Sequence, residues 1–180
     1  MASAHIRELN KERIVFEAMV KRANSKQAKL AMVRAINHET AKAHTQVKRV
    51  LRDETGIKYG DINSAVKRKR ASVSSRRLSS AIIARGGAMP LKYFAARQFR
   101  YGVRAKPWNR AQRFDGAFIV KTLSGHVFKR SGKKRLPIEM LWGPSLPKEM
   151  LREKAVNAFN KATDQIPARA VHEITRIIEG

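Results

Sequence analysis

"GAFIVKTLSGHVFKRSGKKRLPIEML", residues 116–141, settles the fold class. Ala117 to Lys121 and His126 to Arg130 are two short runs rich in apolar residues, with a turn through Ser124-Gly125 between them. Two such runs around a glycine turn predict an antiparallel hairpin. "SGKK" then predicts a second tight turn and "RLPIEML" a third strand. Pro137 lacks an N–H to give to a ladder, which puts that strand at an edge or a bulge.

Upstream, "RRLSSAIIARGGAMPLKYFAARQFRYGVRAK" reads as further strands. Leu78, Ala81 and Ile83 make one, Gly86-Gly87 is a turn, and Pro90 opens the next strand, with Leu91, Tyr93, Ala95 and Phe99 in that region. "PWNRAQRFDG" (107–116) predicts an exposed loop. "GDINSAVKRKR" predicts a short helix from Asp61, its cap, through Arg70.

The flanks read as helix. No Gly or Pro interrupts Ile6 to Leu51, where Ile6, Leu9, Phe16, Met19, Val20 and Ala23 form one stripe. Leu30, Val33, Ile36, Val47, Val50 and Leu51 continue it, with a candidate break at Asn24-Ser25 and a stop at Thr55-Gly56. After Pro147, Leu151, Val156, Phe159 and Ala162 lead to a break at Pro167, then Val171, Ile174, Ile177 and Ile178. The expected architecture is α+β: a long N-terminal helix or tandem helices, a small central antiparallel sheet with hairpins, and a long C-terminal helix. The expected segments are 1–55, 56–147 and 148–180, within one structural domain.

Charge is the dominant feature. The 180 residues carry 39 Lys and Arg against 14 Asp and Glu, a net +25. Residues 1–55 hold 12 basic and 6 acidic side chains, residues 56–137 hold 21 and 2, and residues 138–180 hold 6 and 6. A middle segment of net +19 must face water, phosphate or an acidic protein surface. The absence of cysteine excludes disulfides, thiolate metal sites and a Cys nucleophile. The opening "MASAHIRELNKERIVF" has no apolar core of a secretory signal, and no apolar run reaches the roughly 20 residues of a membrane span. A soluble protein of a reducing compartment, or of something assembled in one, is expected.

Catalytic patterns fail on inspection. His38-Glu39 begins like a metalloprotease helix, but the second His would fall where Lys42 stands. His126, on the hairpin between apolar neighbours, reads as structural, and His172 on the last helix has no partner in sequence. Ser145 in "GPSLP" lacks the glycine frame of a nucleophile elbow. No catalytic, cofactor or metal residues are assigned, and the expectation is a non-enzyme. Candidates for contact with DNA or an acidic partner are Arg76, Arg77, Arg110, Arg113, Lys129, Arg130, Lys133, Lys134 and Arg135. Trp108 and Phe114 beside Arg110 and Arg113 make a mixture that could stack on bases. No base-reading motif is present.

Several blocks resemble the minor tail protein Z family of tailed phages, the tail-completion proteins. They are Thr55-Gly56-Ile57, Pro90-Leu91, Ala96-Arg97-Gln98, Gly116-Ala117-Phe118-Ile119, Val127-Phe128-Lys129-Arg130, Gly132-Lys133, Leu136-Pro137-Ile138 and Gly143-Pro144-Ser145. They span about residues 50–150, the last is the most specific, and Trp142 stands where the family pattern has Tyr.

The resemblance implies a structural virion protein made in the bacterial host cytoplasm. It would complete the head-proximal end of the tail and help join it to the DNA-filled head. The implied partners are other copies in a hexameric ring, a tail tube or tail terminator protein, head–tail connector proteins, and packaged DNA through phosphate contacts. The candidate subunit-interface residues are Trp108, Trp142, Pro144 and Leu146. The alternative is a free cellular protein that binds nucleic-acid backbone non-specifically.

Overall fold

Helix α1, Ser25–Thr55, is the longest element of the computed structural model, which describes residues 25–179. The stripe from Ile6 to Ala23, and Asn24 of the candidate break, lie outside the described residues. Within α1, every fourth residue from Ala31 is buried: Ala31, Ala35, Glu39, Ala43, Val47, Leu51 and Thr55. Leu30, Ile36 and Val50, expected in the stripe, are only half-buried. Ala31, Ala35 and Ala43 fill much of the ridge instead, beside the expected Val47 and Leu51.

The helix stops as expected at Thr55-Gly56. Gly56 has φ +72° and its N–H donates to the Arg52 carbonyl at 3.0 Å. This left-handed residue caps carbonyls that the helix leaves without partners. The Thr55 hydroxyl donates to the Leu51 carbonyl at 2.6 Å and accepts from the Ile57 N–H at 3.2 Å.

Helix α2 is shorter than expected, Tyr59–Ala65, and Asp61 lies in its first turn without capping it. The basic run therefore does not end a helix. It continues as strand β1, Val66–Lys69, with Val66 buried and Lys67 exposed. β1 pairs with β2, Ala81–Ala84, leaving Leu78 outside the strand.

The remaining strands make three more small sheets. β3 (Ala88–Pro90) pairs antiparallel with β10 (Trp142–Ser145), so Pro90 closes a strand rather than opening one. β4 (Arg97–Phe99), β5 (Gly102–Ala105) and β6 (Gln112–Asp115) form a meander. β7 (Ala117–Val120), β8 (His126–Arg130) and β9 (Ile138–Met140) form the expected hairpin and third strand, with Ser124 and Gly125 left-handed in the turn. Phe118, Phe128 and Met140 stand in register across that sheet.

The C-terminal helix is in three pieces: α3 (Leu146–Met150), α4 (Glu153–Thr163) and α5 (Ile166–Glu179). Pro147 and Pro167 each sit in a first turn, where a missing N–H costs nothing. Among the described residues no helix is long and apolar enough to cross a membrane.

The described chain divides into two compact units. One takes residues 25–47, 68–83 and 156–179, the other 48–67 and 84–155. In the first, the Asn37 side chain donates to the Ala71 carbonyl and accepts from the Ala71 N–H, each at 2.9 Å. Arg68 donates to the Asn37 carbonyl at 2.6 Å, so the β1 end is fastened to mid-α1. Glu39 and Glu173 are buried there, paired with Lys42 and Arg169. The second unit holds most of the sheet residues and the buried Ile62, Leu91, Val103, Val127 and Leu146.

Candidate functional site

The turn between β8 and β9 presents the densest charge. Glu139 on β9 stands directly across from Lys129 and accepts a 2.6 Å hydrogen bond from the Ser131 hydroxyl. The Ser131 N–H reaches the Pro137 carbonyl at 3.2 Å, which closes the loop. The Arg130 guanidinium lies 5.0 Å from the centroid of the Phe118 ring, a cation–π contact. Lys133, Lys134 and Arg135 at the tip are exposed, with no carboxylate partner among the described residues. Leu136, expected to turn toward core or neighbour, is exposed, while Ile138 and Leu141 are half-buried.

Arg110 and Arg113 do not flank an exposed loop. Pro107–Asn109 is a short 3₁₀ turn and residues 112–115 are β6. Trp108 and Asn109 both have φ +55°, a conformation that costs a bulky residue energy unless something holds it. Two contacts hold it. The Asn109 amide donates to the Asp53 carbonyl at 2.7 Å, meeting an orphan acceptor at the end of α1. The Trp108 indole N–H donates to Glu149 at 3.0 Å. Glu149 is buried and also faces Arg152 at 2.9 Å. Trp108 is half-buried, held by this contact rather than standing out from a loop.

A pocket of about 480 Å³ opens beside this turn, lined by Asp53, Glu54, Glu149, Arg110, Arg152 and Lys154 among others. Lys154 pairs with Glu54 at 2.7 Å. The opposed charges largely satisfy each other. Among the described residues no three His, Cys, Asp or Glu side chains converge as a metal site would require.

Arg113 sits in a different neighbourhood. Its guanidinium is 3.9 Å from the centroid of the Tyr101 ring and it pairs with Asp115. Tyr101 in turn stacks on Phe99, centroids 5.4 Å apart and planes 5° from parallel. Across the meander Arg97 faces Arg104, and Arg104 faces Arg113. Three arginines thus stand side by side on one exposed face. Like charges directly opposite oppose pairing, on the order of 0.2–1 kcal/mol per pair.

Gly102 fixes this register. At φ +150°, a Cβ there would lie 2.2 Å from the Phe114 carbonyl oxygen. The sequence lists Arg97 and Arg104 as ordinary basic residues; only the pairing brings them together. The signal was the Gly three residues after Phe99, which sets the turn.

The other candidates are scattered. Arg76 and Arg77 are exposed in the unit that contains residues 68–83. Trp142 is 50% exposed, whereas Pro144 and Leu146 are buried within the chain. Gly143 accounts for part of that packing, since a Cβ there would meet the Phe94 ring at 2.6 Å.

Comparison with the curated proteins and with the solved structures gives no match. A family model described as prophage minor tail protein Z matches residues 17–179. That span covers both compact units and every block on which the resemblance rests. The chain belongs to the prophage minor tail protein Z family, structural proteins of the phage tail.

Proposed function

We propose that the chain completes the head-proximal end of the tail and helps join it to the DNA-filled head, assembled as a hexameric ring. One observation carries this reading: the unit of residues 48–67 and 84–155 holds 22 Lys and Arg against 7 Asp and Glu. Its most concentrated cations, Lys133, Lys134 and Arg135, find no anion among the described residues. Such solvated charge is available to an anion from outside the chain. A ring around DNA, or one stacked on an acidic neighbour, meets it.

Exposed apolar residues support contact with further copies. Trp142 is half-exposed on β10 and Leu151 is 76% exposed after α3. A flat aromatic beside a buried Pro144 is the type of anchor that protein interfaces use. In this reading Trp142 meets the next copy, while the tail tube or tail terminator and the connector proteins lie on the two ring faces.

Quantitative mass spectrometry of purified tailed particles tests the proposal. A copy number that is a whole multiple of six supports a ring. Absence from finished particles removes it and leaves an assembly factor or a free nucleic-acid-binding protein.

A further inference from the structure

We propose that the β4–β5–β6 sheet carries a phosphate-binding site for the backbone of nucleic acid, formed by Arg97, Arg104 and Lys106. The inference does not rest on a ring or on a position in the tail.

The site is a pocket of about 270 Å³ lined by Ala95, Arg97, Phe99, Arg104, Ala105 and Lys106. Three of these six are cations and none is a carboxylate. Arg113, the third rung of the ladder, spends its charge on Asp115 and the Tyr101 ring. Arg97, Arg104 and Lys106 have no such partner among the described residues. Arg104 is the most exposed to repulsion, with an arginine on either side. An anion seated between Arg97 and Arg104 converts that repulsion into attraction.

The surroundings are built rather than loose. The Lys106 N–H donates to the Phe94 carbonyl at 2.8 Å, which draws the end of β5 against the Phe94-Ala95 turn. Ala95 holds φ +52°, and its short side chain leaves the pocket open. Gly102 locks the register that brings the arginines together.

Phosphate is favoured over a partner's carboxylate by what lines the rim. Paired guanidinium groups suit the several oxygens of a phosphodiester. Phe99, its ring plane backed by Tyr101, offers a flat apolar wall on which a sugar or base can lie. The carboxylates of an acidic peptide do not themselves use this wall.

The test is fluorescence anisotropy of a labelled mixed-sequence duplex titrated with the full-length protein over a salt series from about 50 mM. The slope of log affinity against log salt counts neutralised phosphates at roughly 0.9 each. In R97Q/R104Q the slope should fall by roughly two and low-salt affinity by about tenfold or more. R104Q alone should lose roughly one and serves if the double variant does not fold. The variant K133Q/K134Q/R135Q runs in parallel. An unchanged slope in a folded R97Q/R104Q protein overturns the assignment, even if the turn variant loses binding. Absence of wild-type DNA binding also overturns it. So does stronger competition by poly-glutamate than by unlabelled DNA that disappears in R97Q/R104Q, since the pocket would then take an acidic chain.

Discussion

The two three-stranded sheets use the same residue types to opposite ends. In β7–β8–β9, Lys129 faces Glu139 and Arg130 lies over Phe118, so the sheet meets its own charge. In β4–β5–β6, Arg97, Arg104 and Arg113 face one another, and among the described residues only Arg113 has an internal anion. Cations count toward internal stability when register sets them against an acid or a ring. When register sets them against each other, they are available to a partner.

Breaking the second sheet should have the largest effect. Gly102→Ala places a Cβ against the Phe114 carbonyl at a φ that only glycine adopts cheaply, and should cost more than about 3 kcal/mol in chemical denaturation. A variant as stable as the parent would mean that the arginine register is not fixed there. Next comes Trp108→Phe, which removes the indole donor from buried Glu149; a loss of about 1–3 kcal/mol is expected. The Trp108-Asn109 turn, which bonds the end of α1 at Asp53, should loosen with it.

Two smaller changes sharpen the contrast by differing in sign. Glu139→Gln should destabilise the first sheet by about 0.5 kcal/mol, since Lys129 loses its opposing charge. Arg104→Gln should stabilise the second by a similar amount, about 0.2–1 kcal/mol, through relief of repulsion. Equal signs in matched thermal melts would refute the distinction. Smallest in stability is the reversal of Lys133, Lys134 and Arg135 to Glu, expected within about 0.5 kcal/mol for all three together because the tip is solvated. The same variant should abolish production of infectious particles, and its unfolding would remove the tip as a functional surface.

The sequence made some of this legible and not the rest. The 117–130 hairpin could be read because its two short apolar-bearing runs and the Ser124-Gly125 turn are both local. The stop at Gly56 was local too. The run Lys67 to Arg70 misled because cations suit a helix end as well as an exposed strand, and pairing with β2 decided between them. The left-handed Trp108-Asn109 turn depends on Asp53 and Glu149, which are far away in sequence. The arginine ladder needs a register, and composition carries none. Alanines at four-residue spacing hid the buried ridge of α1, since a search for large apolar residues passes over them.

That ridge constrains how the chain can change in length. Four residues turn a helix by about 400°, so the buried line from Ala31 to Thr55 winds by about 40° per step. One residue inserted near Glu39 would swing everything after it by about 100° and bring a different row to the place of Val47 and Leu51. Four residues inserted together would shift it by only about 40°. Relatives that differ in the length of α1 should therefore differ by whole turns, and single-residue gaps should gather in the exposed turns, such as the one around Gly132.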